Sequence, residues 1–121
     1  MDLPDPGADI PHLGEAIGTR ELRFTRETGQ SEVVRLSIGT PALRDGTWWC
    51  PYEIRSPSFV RAFALAGQDS LQALLASVSI LSTELEALGR EHQGAFSYFG
   101  TNDLMLPSMD WLRREGDAGE T

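Results

Sequence analysis

The chain has 121 residues, 40% hydrophobic and 23% charged, which is the size and balance of one globular domain with its own core. Its formal net charge is −8, from 18 acidic and 10 basic residues. That opposes nucleic-acid binding, which needs cations to displace counterions from phosphates, and the single cysteine excludes an internal disulfide.

All ten basic residues are arginine, which reads as codon usage in a GC-rich, bacterial genome. The opening stretch "MDLPDPGADIPHLGEAIG" (1–18) is acidic and rich in proline and glycine. It has too little to bury on its own and reads as an arm. It lacks the apolar run of a signal peptide, and the apolar-rich segment 71–81 is too short and interrupted for a bilayer. The expectation is therefore a cytoplasmic protein with no membrane partner, a signal-less secreted effector being the alternative.

Strand signals follow. "ELRFTRE" (21–27) alternates Leu22 and Phe24 against Arg23 and Thr25, and "EVVRLSI" (32–38) sets Val34, Leu36 and Ile38 against Arg35 and Ser37. The stretch 39–46, "GTPALRDG", reads as a loop. "TWWCPYEIR" (47–55) alternates Trp48, Cys50, Tyr52 and Ile54 against Trp49, Pro51, Glu53 and Arg55, and "FVRAFALA" (59–66) is a fourth strand. Short connections make the four an antiparallel meander.

Leu71, Leu74, Leu75, Val78, Leu81, Leu85 and Leu88 recur at helical spacing, which predicts a helix over about 70–91. Asp69 and Gln72 have capping-box spacing, and Gly89 and Gly94 offer stops. A short strand at 95–99, a loop at 100–108 and one or two helical turns at 109–115 complete a domain over 19–115, with a tail at 116–121. The fold class is α+β: a four- to five-stranded antiparallel meander packed on one long amphipathic helix.

Val60, Ala62, Ala64 and Ala66 are mostly small and suit close approach by the helix. On that phase Phe63 and Arg61 point away, joining Arg23, Arg35, Trp49 and Arg55 on an open face. Trp and Arg are enriched at interface hot spots, so these six form the candidate partner-binding surface, against the plain reading of arginine stems covering a solvent face. The loop "YFGTNDLMLPSMDW" is a second candidate.

Chemistry finds less support. Cys50 sits mid-strand on the inward face, far from His12 and His92, and reads as a small buried hydrophobe. Pro51 suits an edge strand or a bulge. No CxxC or HExxH spacing marks a metal site, and "GQDS" (67–70) is a helix cap without the features of a P-loop. Glu84 with Glu86, or Asp103 with Asp110, read as solvated surface. No catalytic residue, cofactor or metal is assigned, and an enzyme is disfavoured.

"TRELRF", the W-x-CPY strand, "AGQDSLQALLASVSIL" and "YFG…DLMLP" together resemble a family of small bacterial proteins of unknown function. The resemblance spans about residues 20–107, with Trp48, Cys50, Pro51, Tyr52, Asp69, Ser70, Leu71 and Gln72 matching its motifs. It implies a small bacterial α+β domain without assigned catalytic residues. Compact acidic domains of this kind are similar in general to immunity proteins. The expected function is thus a non-enzymatic protein-binding module, immunity-like or regulatory, with a protein partner that its charge suggests is basic. The alternative is a small-ligand-binding domain or enzyme with a pocket between the sheet and the 100–108 loop. A homo-oligomer covering its own sheet is the third reading.

Overall fold

The computed structural model describes residues 13–107. The elements are β1 (Ala16–Arg26), β2 (Ser31–Gly39), β3 (Ala42–Arg44), β4 (Thr47–Arg55), β5 (Val60–Gly67), α1 (Ser70–His92) and β6 (Gly94–Ser97). The expected turns at 109–115, the tail at 116–121, His12, Asp110 and the first twelve residues of the 1–18 arm lie outside the described residues. Within the rest of that arm, Ala16–Gly18 already belong to β1.

Every strand pairing is antiparallel. Along the sheet the strands run β5–β4–β2–β1–β6, with β3 as a further partner of β4. The α+β meander therefore holds, with six strands among the described residues. The added strand β3 lies inside the stretch read as a loop. Its signal was the Asp45–Gly46 pair, whose φ angles of 51° and 81° make the left-handed two-residue turn of a tight hairpin. After the meander α1 crosses the sheet, and β6 returns beside β1, with Phe96 opposite Phe24.

The alternation in β1, β2 and β4 does what it predicts. Leu22, Phe24, Val34, Leu36, Ile38, Cys50, Tyr52 and Ile54 are buried on one side with Leu81, Leu85 and Leu88 of the helix. An aromatic cluster closes the far end: Phe24 meets Phe59 edge-on at 5.6 Å and Phe96 at 4.7 Å, and the His92 ring stacks on Phe59 at 4.7 Å. Gly94 lies beneath this cluster, where a Cβ would come within 2.5 Å of the Phe24 ring.

The helix departs from its predicted stripe in its first half. Leu71 is 61% exposed and Leu75 39%, while Ala73 and Ser77 are buried. The helix start comes close to the sheet at Ala73, where a Cβ on Gly67 would stand 2.4 Å from the Ala73 nitrogen, so small residues take the facing positions and Leu71 and Leu75 turn away. Ser77 Oγ donates to the Cys50 carbonyl at 2.6 Å, which satisfies a polar group inside the core. Asp69 caps the helix, accepting from the Gln72 N–H at 2.7 Å, and Gln72 Oε1 accepts from the Gln68 N–H. At the other end the helix passes Gly89 and stops at Gln93, which takes the left-handed conformation itself (φ 57°). By length and apolarity α1 would suit a membrane span, so the sequence estimate of 71–81 was too short. In the fold its inward stripe packs on the sheet.

β4 is a central strand, so Pro51 is on neither an edge nor a bulge. On one side β4 pairs with β3 through Thr47–Trp49 and then with β2 through Tyr52–Arg55. Pro51 falls in the gap between these partners, where a missing N–H costs no ladder bond.

Candidate functional site

Register decides which side chains share a face, because residues directly opposite across a ladder point the same way. In β5, Arg61 stands opposite Ile54, Phe63 opposite Tyr52 and Leu65 opposite Cys50. Those partners face the helix. Arg61 and Phe63 therefore lie on the helix side, and the phase inferred from the small alanines is reversed. Side-chain size was a weaker constraint than the cross-strand partners already fixed by β4.

Arg61 is accordingly engaged. Its guanidinium bonds Glu84 at 3.1 Å and Glu91 at 3.0 Å, and Tyr52 Oη donates to the other Glu84 oxygen at 2.5 Å. Burial first, then the hydrogen bond and charge of Glu84, push the Tyr52 phenol well above its usual value, with Arg61 opposing. Glu84 is thus not plain solvated surface. It joins strand to helix through a satisfied polar network of the kind that fixes packing. Phe63 stays 45% exposed because β5 lies at the sheet margin.

Four of the six predicted residues, Arg23, Arg35, Trp49 and Arg55, do face away from the helix, but they do not form one patch. Arg35 lies directly opposite Arg55 and, on its other side, opposite Glu21; Arg23 lies opposite Val33 in the adjacent row. Trp49 is six residues along β4 from Arg55, about 20 Å at strand rise, and it faces Ala42 and Ala66. Between them Pro51 is buried. Leu13 reaches the same place: a Cβ on Gly39 would stand 2.8 Å from Pro51 Cγ and 3.0 Å from Leu13 Cδ1.

Like charges directly opposite in a ladder repel. Arg35 and Arg55 are relieved by carboxylates, Arg35 bonding Glu21 at 3.3 Å and Arg55 bonding Glu53 at 3.0 Å. Both arginine side chains remain 59% exposed. The Glu53 hydrogen bond and charge raise the Arg55 guanidinium further above its usual value.

Beside Arg23 and Val33 stands Phe99, from the start of the second candidate, the loop "YFGTNDLMLPSMDW", which the sequence did not join to the arginine face. Tyr98 and Thr101 exchange backbone hydrogen bonds at 2.8 and 3.1 Å, closing a tight turn over Phe99 and Gly100. Phe99 has φ 49° and is 89% exposed. A bulky side chain in the left-handed region is an outlier that costs free energy. Tyr98 anchors the turn, with the Arg20 guanidinium 4.7 Å from its ring centre. A groove of about 310 Å³ runs past Glu21, Arg23, Val33, Ser97 and Phe99, so the turn and the arginine rows share one surface. The sequence clue was "FG", the same two-residue turn pattern as Asp45–Gly46.

A larger groove, about 810 Å³, lies between α1 and the loop 102–106, with Leu85, Phe96, Leu104 and Leu106 among its apolar lining and Glu27, Glu86, Arg90 and Asp103 among its charged lining. The loop is held in place: Arg20 Nη1 donates to the Leu104 and Met105 carbonyls at 2.9 and 2.7 Å, and Ser82 Oγ to the Pro107 carbonyl at 3.0 Å. Cys50 is fully buried and burial pushes its thiol up, against the Ser77 hydrogen bond, which suits a packing role rather than a nucleophile. Among the described residues no group of three or more His, Cys, Asp or Glu is placed to hold a metal ion.

A family model described as a domain of unknown function, DUF6968, matches residues 18–108. The chain belongs to that family. No curated protein and no solved structure matches it.

Proposed function

We propose, taking membership of a family without an assigned activity as the premise, that this domain is a non-enzymatic protein-binding module of an immunity-like or regulatory kind. Its contact surface is the Phe99 turn with Arg23, Val33, Arg35 and Arg55. The observation that carries the reading is Phe99: an aromatic ring 89% exposed in a left-handed backbone conformation. The ring's one aromatic neighbour is Tyr98, 4.7 Å between centres, which leaves most of it open to solvent, and strain of this sort is often kept at ligand contacts. The neighbouring arginines supply planar donors for a carboxylate or an aromatic face. The partner side chain at the contact is acidic or aromatic. The net charge of −8 speeds approach of a partner that is basic elsewhere.

The groove beside the 102–106 loop supports a second reading, a small-ligand site, since its size falls within the range of ligand pockets and its wall is pinned by Arg20.

The test starts with a partner retrieved from host extract by the wild-type chain and identified by mass spectrometry. Titration of the purified partner should then show at least tenfold weaker binding for Phe99→Asn and for Arg55→Glu, with melting temperatures no lower than wild type. Wild-type affinity in both variants defeats the reading. A small ligand that raises the melting temperature and loses its effect in Leu104→Arg would favour the second.

A further inference from the structure

Among the described residues β5 is the last strand of the sheet: β4 pairs one side of it, and no described strand pairs the other. Such an edge presents a row of unpaired N–H and C=O groups. Proteins blunt edges with charged side chains, proline, bulges, short strands or a covering segment. Among the described residues β5 has one of these, the charge of Arg61. It is eight residues long without proline, and its register against β4 runs unbroken from Val60 to Gly67. Its one charge, Arg61, is drawn onto the helix by Glu84 and Glu91. Two large apolar side chains stand exposed along it, Val60 at 51% and Phe63 at 45%. The strand at the opposite margin, β6, has only four residues.

We propose that β5 pairs antiparallel with β5 of a second copy of this chain, about a two-fold axis at Phe63, so that two sheets become one. A symmetric pairing sets one residue opposite itself. With Phe63 on the axis, the two exposed rings meet on the helix side and shelter each other. Ala62 then faces Ala64 of the second copy, and Arg61 faces Leu65. Small side chains on the other side leave the sheet free to continue.

The helices fit the same geometry. The axis is perpendicular to the sheet, so both copies of α1 lie on one side and run antiparallel. Each α1 packs over β4 and β5. At a strand spacing of about 4.8 Å, the two helix axes stand roughly 10 Å apart, which is helix-packing distance. Glu84 and Glu91 face β5. Beside them, away from the buried Leu81 and Leu85, run Ala76, Ile80, Thr83 and Ala87, spaced as one helical stripe. All four keep exposed area, and none is large enough to hold the helices apart. In the antiparallel pair, Ala76 comes level with Ala87 of the second copy, and Ile80 with Thr83.

Each copy carries a charge of −8, so the two repel at long range, and salt that screens this repulsion strengthens the pairing. The dimer leaves both Phe99 and arginine surfaces on the opposite face and open.

Sedimentation velocity on the full chain, across a hundredfold concentration range and at two salt levels, tests this. The mass should rise from 13.3 kDa to twice that, with the midpoint at lower concentration in higher salt. Phe63→Glu should weaken association at least tenfold with an unchanged circular dichroism spectrum. Under mild oxidation Phe63→Cys should form a disulfide-linked dimer, and Val60→Cys, off the axis, should not; the buried Cys50 does not compete. A wild-type chain that stays monomeric throughout, or a dimer that crosslinks through Val60→Cys instead of Phe63→Cys, overturns the proposal.

Discussion

The two sides of this sheet use arginine in opposite ways. On the helix side Arg61 is 30% exposed and holds two carboxylates of α1, one of which also takes the Tyr52 hydroxyl. On the open side Arg35 and Arg55 are 59% exposed, lie directly opposite each other, and each holds one carboxylate, the exposed Glu21 and the largely buried Glu53. The same residue type at neighbouring positions is a structural fastener in one case and a solvent-facing donor in the other. A ladder register separates them, and composition carries no trace of it. Substitutions on the helix side should therefore cost stability, and those on the open side should not.

The largest effect is expected in the apolar layer that the helix-side polar network flanks. Leu81 is 2% exposed and Leu74 only half-buried. Leu81→Ala should cost about 2–5 kcal/mol, and Leu74→Ala less than half of that, in denaturant unfolding. Equal costs would mean that the first half of α1 packs as tightly as its middle, and the helix side would lose its graded contact.

Next comes Arg61. Arg61→Ala leaves Glu84 and Glu91 near each other without their shared cation and should cost about 1–3 kcal/mol. Arg61→Glu adds a third carboxylate and should cost more. Arg55→Glu on the open side should leave the unfolding midpoint almost unchanged. If Arg55→Glu destabilises as much as Arg61→Glu, the contrast between the two sides is wrong.

A smaller cost, about 1–2 kcal/mol, is expected for Cys50→Ala, which removes a small buried group. Slow thiol labelling of the native chain should accompany it. Rapid labelling at neutral pH would show the sulfur to be accessible.

Tyr52 sharpens the comparison through pH. Its phenol is raised in the folded state, so its contribution is fully present below the unfolded value of about 10 and is lost as pH rises beyond it. Tyr52→Phe should lower stability at neutral pH and flatten the decline above pH about 10. An unaltered alkaline slope would detach Tyr52 from the Glu84 network.

The smallest effect has the opposite sign. Phe99→Asn installs the Asn-Gly pair that a left-handed two-residue turn prefers, and should stabilise by a few tenths of a kcal/mol to about 1 kcal/mol. A clear loss of stability would show that the ring packs on the fold, and the open side would then have a structural aromatic of its own.

The local rules of the chain determined much of this molecule. Period-two alternation set the inward faces of β1, β2 and β4, and leucine spacing set the existence and extent of α1. Asp69 and Gln72 marked where the helix starts, because capping depends only on neighbouring residues. Tertiary structure alone decided the rest. The face of β5 followed from its register against β4, since alanine and phenylalanine positions both had plausible inward readings. Leu71 and Leu75 were left exposed because the close approach at Gly67 turns the small Ala73 and Ser77 to the sheet. Pro51 was admitted to a central strand because β4 changes partners there. The candidate surface was legible in part: Arg23, Arg35 and Arg55 alternate outward by a local rule. Phe99 joined them only when β6 paired with β1, and Trp49 left them because five residues of extended strand, the buried Pro51 among them, lie between. Contacts between residues distant in sequence depend on register and close approach, and those are fixed by the packed whole.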